Sequence, residues 1–318
     1  METILVTGGS GLVGSAIKFV VSQSSDFTNY NFIFLSSKDC NLKDFNNTFY
    51  AFRKYSPTYV IHLAANVGGL FKNMNHKVEM FESNMMINMN VLKCCYEFKV
   101  KKCISCLSTC IFPDKTSYPI NESMLHNGAP HNSNDAYAYA KRMIEVLSQS
   151  YNSQYNTNFS CIIPTNIYGP NDNYHLEDAH VVPALIHKAF IAKQNNEPLK
   201  VRGSGTPLRQ FIYSEDLAKL ILWYLLEIDS NETIILSVGE KEEVSIGHVA
   251  SIIAKENDIE IEFEKQYSDG QFKKTADNKK LMKLYNESTG ENFQFTPINI
   301  GLKKAIEWFK SNYDNCRR

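Results

Sequence analysis

No apolar run in this sequence approaches the roughly 20 residues that a helix needs to cross a bilayer. The longest occupies residues 220–226. No Lys/Arg-rich leader precedes the apolar segment that starts at Ile4, so no secretory signal is expected. An excess of one charge is also missing: 33 Lys and Arg stand against 34 Asp and Glu, for a formal net charge of -1. Without a basic excess nothing would track a nucleic-acid backbone or an anionic lipid surface, so neither nucleic acid nor membrane is an expected partner. The eight cysteines lack secreted-domain spacing. Reduced thiols in a cytoplasmic setting are expected instead. Cys103, Cys106 and Cys110 lie close together, but residues 103–108 read as a strand, in which positions three apart face opposite ways. No His/Cys pair of finger-like spacing accompanies them, so no metal site is expected. Internal repeats, low-complexity blocks and flexible linkers are absent as well.

What is present is enough apolar material for a core: 43% hydrophobic and 12% aromatic residues in a chain of 318. The first half alternates short β-rich runs with helical patterns. Strands are expected at 3–7, 32–36, 59–63, 103–108 and 160–164, with helices at 11–22, 42–55, 78–98 and 136–155. Such alternation implies an α/β fold with a parallel sheet covered on both faces, and ligands outside the carboxyl ends of its strands. Beyond Gly169-Pro170 the pattern changes. A polar loop at 171–180 leads to a helix at 183–193, a strand at 209–213, a helix at 214–227 and a strand at 234–238 that returns to the first sheet. The tail from Val244 reads as mixed α/β, closing with a helix near 301–313.

Thr7-Gly8-Gly9-Ser10-Gly11-Leu12-Val13-Gly14 lies between the first strand and the first helix. Gly8 permits the turn off the strand, Gly11 lets the backbone approach a pyrophosphate, and Gly14 lets helix and strand pack closely. In this context the spacing reads as a dinucleotide loop on a Rossmann-type, doubly wound sheet. The second strand ends in Ser36-Ser37-Lys38 where an NAD binder would place an acid. Small hydroxyls and a cation suit a 2′-phosphate, so NADP(H) is the expected cofactor. Lys38 also has an ordinary reading as an exposed turn residue, and Asp39 is left for the adenine. The expected division is residues 1–168 plus about 209–240 for NADP binding, and 169–208 with 241–318 as a smaller mixed α/β substrate-binding lobe.

Tyr137-Ala138-Tyr139-Ala140-Lys141 places a phenol and an ammonium four residues apart on one helical face. A tyrosine is a poor acid/base at neutral pH, and an adjacent cation is expected to lower it. The pairing selects Tyr137, because the corresponding partner of Tyr139 is Met143. Ser108-Thr109-Cys110 follows the fourth strand, where the Ser108 hydroxyl can meet the reacting oxygen beside Tyr137.

The glycine loop, Ser-x-Cys and Tyr-x-x-x-Lys together resemble the extended short-chain dehydrogenase/reductase family. Longer strings are similar to its GDP-L-fucose synthase branch. They are Leu107-Ser108-Thr109-Cys110-Ile111-Phe112-Pro113, Pro164-Thr165-Asn166-Ile167-Tyr168-Gly169-Pro170, His180-Val181-Val182-Pro183-Ala184-Leu185, Gly203-Ser204-Gly205-Thr206-Pro207-Leu208-Arg209 and Ser268-Asp269-Gly270-Gln271-Phe272-Lys273-Lys274. The similarity runs from about residue 3 to about residue 313.

That resemblance implies epimerisation at C3 and C5 of a GDP-linked keto-sugar, then NADPH-dependent reduction of its C4 ketone. It casts Tyr137 as proton donor, Lys141 as its tuner and a ribose ligand, Ser108 as hydroxyl partner, and Cys110 and His180 as the epimerisation acid/base pair. Cofactor contacts would fall on Gly8, Ser10, Gly11, Leu12, Val13, Gly14, Ser36, Ser37, Lys38, Asp39, Leu63, Ala64, Ala65, Lys141, Pro164, Asn166 and His180. The nucleotide-sugar would meet Ser108, Asn166, Lys188, Arg202, Arg209 and Asp269. A GDP-sugar partner and a homodimer formed through a four-helix bundle are implied too. Two positions depart from the pattern: Arg202 stands where Trp is frequent, and Ser10 where bacterial members carry a base, which gives Lys38 a larger share of phosphate recognition. Taken alone, His180, Lys188, Arg209 and Asn166 also fit ordinary structural roles. Two rival readings stand beside it: another nucleotide-sugar epimerase or dehydratase, which shares the motifs, and a non-catalytic NADP-sensing regulator on the same fold. The second usually lacks the Tyr/Lys pair retained here.

Overall fold

The computed structural model describes residues 1–269 and 272–318, without the side chains of residues 70–72. Its first half runs β1 (Glu2–Thr7), α1 (Leu12–Gln23), β2 (Tyr30–Leu35), α2 (Phe45–Tyr55), β3 (Tyr59–His62), α3 (Leu70–Asn75), α4 (Lys77–Glu97), β4 (Lys102–Cys106), α5 (Asp135–Tyr155) and β5 (Phe159–Pro164). There follow β6 (Asn166–Tyr168), α6 (Val181–Asn195), β7 (Leu199–Arg202), β8 (Leu208–Arg209), β9 (Phe211–Tyr213), α7 (Ser214–Leu226) and β10 (Ile234–Leu236). The chain closes with β11 (Val244–Ser245), α8 (Ile246–Asn257), β12 (Ile261–Glu264), α9 (Lys279–Thr289) and α10 (Ile298–Ser311).

A six-stranded sheet in the order β10-β5-β4-β3-β1-β2, parallel throughout, forms the centre. Its middle strands β4 and β5 are buried on both faces, and their largely apolar runs are interrupted only by Lys102, Ser105 and Ser160. Alternate residues of one strand serve opposite cores. Leu5, Val60, Cys103 and Phe159 pack with Phe52, Leu92 and Ile144 from α2, α4 and α5. Ile4, Val6, Ile61 and Ile104 pack with Ile17 of α1 and Leu217 and Ile221 of α7 on the other side. This is the doubly wound arrangement that the alternation implied, and β10 returns to the sheet beside β5. A third apolar cluster, including Tyr174, Leu185, Leu199, Val249, Ile253 and Phe309, joins α6, α8 and α10 to β7.

Some boundaries differ for local reasons. The helix expected from residue 42 begins at Phe45, because Asp44 accepts from the Asn47 N–H at 2.7 Å and caps it. The strand expected at 209–213 is broken at Gln210. Arg209 belongs to β8, antiparallel to β11, while Phe211 opens β9, parallel to β6. Gln210 between them is fully buried. Its Nε2 donates to the carbonyls of Val238 and Ala276, and its Oε1 accepts from the Ala276 N–H. A parallel β7–β12 pair was not expected. Among the described residues no helix is long and apolar enough to cross a membrane.

Candidate active site

At the carboxyl end of β1 the chain turns through Gly8 at φ +70, a left-handed conformation that favours glycine. A Cβ at Gly14 would lie 2.6 Å from Gly9 Cα, so α1 packs directly on the loop. The first turn of α1 has no side-chain cap, which leaves its amides directed at the space beyond the sheet. That space is a cavity of about 830 Å³. Its walls bring together Gly8, Ser10, Gly11, Leu12, Val13, Gly14, Ser36, Ser37, Leu63, Ala64, Ala65, Ser108, Tyr137, Lys141, Pro164, Asn166 and His180. Lys38 and Asp39 are not in that wall. The Asp39 carboxylate is committed to its own turn, accepting from the Ser36 N–H at 2.8 Å and the Ser36 hydroxyl at 2.6 Å. Asn41 and Lys43, which the sequence reading passed over, do line the cavity.

Helix α5 presents Tyr137 and Lys141 side by side, but their relation differs from the expected one. The Lys141 Nζ donates to the Cys106 carbonyl at 2.8 Å and lies 6.0 Å from the centre of the Tyr137 ring. Burial, and then the thiols of Cys110 and Cys106, push the Tyr137 phenol well above its ordinary range. Tyr137 is therefore a proton-loaded acid here, where the spacing suggested a phenol lowered by Lys141. Burial pushes the Lys141 ammonium down in its turn. His180 precedes α6 with its ring open to the cavity, and the enclosing walls lower its imidazole.

Cys110 does not share this wall. It follows Ser108 in a short 3-10 turn, Thr109–Ile111, and opens on a second cavity of about 600 Å³ lined also by Tyr118, His131, Ser268 and Lys274. Of the expected sugar-nucleotide residues, Ser108 and Asn166 line the first cavity, whereas Lys188, Arg202, Arg209 and Asp269 stand in the wall of neither. Lys188 is lowered by burial and by the nearby charge of Arg202, whose guanidinium lies 5.0 Å over the Tyr267 ring. Arg209 Nη1 donates to the Leu208 carbonyl at 2.7 Å, and its charge is felt by Lys274, as is that of Cys110. Asp269 accepts from the Ser204 N–H at 2.6 Å and the Ser204 hydroxyl at 2.7 Å, so both its oxygens brace the Gly203 turn. Asn166 donates through Nδ2 to the Gln210 carbonyl at 2.8 Å. Gly270 and Gln271 of the expected 268–274 string lie outside the described residues.

Residues 4–239 match the NAD dependent epimerase/dehydratase family. A GDP-L-fucose synthase from Dictyostelium discoideum is 54% identical over 100% of this chain and 98% of its own length. The chain belongs to the GDP-L-fucose synthase family. A probable GDP-L-fucose synthase from Drosophila melanogaster is 44% identical over the full length of both chains. A GDP-L-fucose synthetase from Naegleria fowleri, solved bound to NADP, superposes with a TM-score of 0.93 at 46% identity, covering 100% of this chain and 95% of that one.

This GDP-L-fucose synthase family member also holds site residues that the motifs did not point to. A buried chain of hydrogen bonds links the glycine loop to α5. The Asn88 Nδ2 donates to the Ala140 carbonyl at 3.3 Å, which turns its Oδ1 to the His62 Nε2 at 3.1 Å. His62 Nδ1 then accepts from the Thr7 hydroxyl at 2.8 Å, and Thr7 Oγ1 accepts from the Ala64 N–H. Burial first, then the charge of Lys141, lowers His62 to about 3, so its ring is neutral. Asp172 lines the main cavity with its Oδ2 buried and, among the described residues, without a hydrogen-bond partner. His62 and Asn88 acquire their character from neighbours distant in sequence and Asp172 from burial, so no local spacing marked them.

Proposed function

We propose that this protein converts GDP-4-keto-6-deoxy-D-mannose to GDP-L-fucose, by epimerisation at C3 and C5 and NADPH-dependent reduction of the C4 ketone. The reading is carried by one observation: Tyr137, Lys141, Ser108 and His180 border the same cavity as an open dinucleotide loop. Family membership supports it. The residues fit the cofactor, since the uncapped start of α1 suits a pyrophosphate and Lys43 stands in the wall near Ser36 and Ser37 as a cation for a 2′-phosphate. NADPH supplies the hydride when bound.

Tyr137, held protonated by burial, donates its proton to the C4 oxygen as that oxygen gains charge. Ser108 gives the same oxygen a second hydrogen bond, and Lys141 fixes the end of β4 beneath both. Epimerisation needs a base on one face of an enolisable carbon and an acid on the other. His180, neutral near pH 7, and the Cys110 thiol take those parts. Lys188, Arg202 and Arg209 offer cations for the diphosphate, while Asp269 shapes the turn beside it. In this reading residues 1–168 with about 209–240 bind NADP, and 169–208 with 241–318 bind the sugar nucleotide.

We also propose a cytoplasmic homodimer. Val78, Met86 and Met89 on α4 and Tyr139 and Val146 on α5 are exposed, and on each helix they fall on one side, an apolar face suited to a four-helix bundle. A solution mass of one chain, measured by light scattering, would rule the dimer out.

The chemistry is tested by separating its halves. Cys110→Ala and His180→Gln should lose solvent-deuterium incorporation at C3 and C5 while still binding NADPH. Tyr137→Phe should keep exchange and lose reduction by roughly 10²-fold, the usual size of a general-acid contribution. NADPH consumption at 340 nm and NMR of the product read the two steps. Native deuterium exchange in Cys110→Ala would return Cys110 to a packing role.

A further inference from the structure

Directly after Lys141 on α5 comes Arg142, which no motif singled out. Its side chain is 5% exposed. Among the described residues, the groups whose charge favours its guanidinium are Tyr139 and Cys110, and no carboxylate is among them. The guanidinium is spent on backbone instead. Nε donates to the Ile111 carbonyl at 3.0 Å, Nη2 donates to the same oxygen, and Nη1 donates to the Gly128 carbonyl at 2.9 Å. A buried cation without an anion is costly, so this placement calls for a purpose.

The geometry shows what it holds. Ser108 and Cys110 lie on one short segment whose two ends are each tied to α5. Lys141 grips the Cys106 carbonyl before Ser108, and Arg142 grips the Ile111 carbonyl after Cys110. Between them the Thr109–Ile111 turn is a single turn, held by the Ile111 N–H donating to the Ser108 carbonyl at 3.2 Å, the Phe112 N–H to the Thr109 carbonyl at 3.3 Å, and the Cys110 N–H to Ser108 Oγ at 3.4 Å. Single 3-10 turns are weak elements, whereas proton transfer tolerates displacements of only about half an ångström. The planar fork of an arginine holds two carbonyls through separate nitrogens in fixed directions, whereas a lysine offers only rotatable donors on a single atom.

We propose that Arg142 is the positioning residue for Cys110, fixing the thiol at the mouth of the second cavity as Lys141 fixes the segment that bears Ser108. This rests on the reading of Cys110 as an epimerisation group. It predicts that consecutive residues of one helix separately support the reductive and the epimerising halves of the site.

The test uses the full-length protein as Arg142→Lys and Arg142→Gln, with Cys110→Ala alongside. NADPH dissociation constants, deuterium exchange into GDP-4-keto-6-deoxymannose in the presence of NADP⁺, and the configuration of the reduced product are measured for each. In both Arg142 variants exchange should fall by about 10²-fold, the usual cost of an ångström-scale misplacement. The KM for the sugar nucleotide and the affinity for NADPH should stay within about twofold of native by the same reasoning. The reduced product should shift toward the unepimerised 6-deoxy sugar. Arg142→Lys retains the charge, so native exchange in that variant would mean that charge and not clamping matters, and would overturn the proposal. Native exchange in Arg142→Gln overturns it too, provided that Cys110→Ala has lost exchange. An equal loss of exchange and reduction would mark a general packing role and overturn it as well. If Cys110→Ala itself exchanges at the native rate, the failure lies in the reading of Cys110, and the assignment of Arg142 falls with it.

Discussion

Burial moves the Asp172 carboxyl up to about 7, against the partial relief given by the Asn173 N–H and the charge of Arg317. An ordinary aspartate titrates near 4. Between those two values the folded chain holds a proton that the unfolded chain has released. The resulting stabilisation is therefore complete below about pH 4 and is lost as pH rises toward 7. Asp172→Asn should remove this dependence while its amide oxygen still accepts from the Asn173 N–H. Compared with the variant, the native protein should lose on the order of a few kcal/mol over that window, at about 1.4 kcal/mol per pH unit. Urea unfolding of both proteins from pH 4 to 8 measures the difference, and parallel curves would refute it. Residues of this kind were illegible in the sequence. Gly8, Gly14, Tyr137 and Lys141 could be found because their chemistry depends on short, fixed spacings. Asp172, His62 and Asn88 could not, because burial and partners many residues away make them what they are. The same limit explains Tyr137, whose spacing to Lys141 was readable while its enclosure by Cys106 and Cys110 was not.

Among the elements, α1 depends closely on one residue. The Cβ of an alanine at position 14 would meet Gly9 Cα at 2.6 Å and Gly8 O at 2.7 Å, both backbone atoms that cannot swing aside. Gly14→Ala should push α1 off the loop at a cost of about 1–3 kcal/mol, as overpacked sites do. NADPH affinity should then weaken by tenfold or more, measurable by fluorescence titration; an unchanged Kd would show that the loop relaxes freely. The strands of the central sheet were legible because short β-rich, mostly apolar runs alternate with helical patterns. β6 was not, because three residues carry no period, and β8 and β9 were legible only as one strand at 209–213. The polar Gln210 was read through as part of one strand, although it is the residue at which the chain changes partner.

Across the molecule, Gln210 is a knot between distant segments. Its side chain joins the carbonyl that follows β10 to Ala276, and its own carbonyl accepts from Asn166 on the crossing strand. Gln210→Leu keeps the volume and strands these partners. Each buried polar group left unpaired costs about 1–3 kcal/mol, so a loss of about 2–4 kcal/mol is expected. Calorimetry reads it as a lowered Tm, and a loss below about 1 kcal/mol would mean that water replaces the amide. The crossing itself has a further consequence. The chain leaves along β6 and returns along β9, and those strands lie side by side, with Asn166 opposite Phe211 and Tyr168 opposite Tyr213. The two ends of the excursion between them are thus within about 10 Å of each other, one short strand's reach. An excursion with adjacent ends is a cassette: its length and contents can change through insertion or exchange without disturbing the register of the sheet from which it departs. Such a change is bounded on one side only, because β7 and α6 of the excursion pack against β12, α8 and α10, so the C-terminal stretch must change with it while the sheet is inherited unaltered.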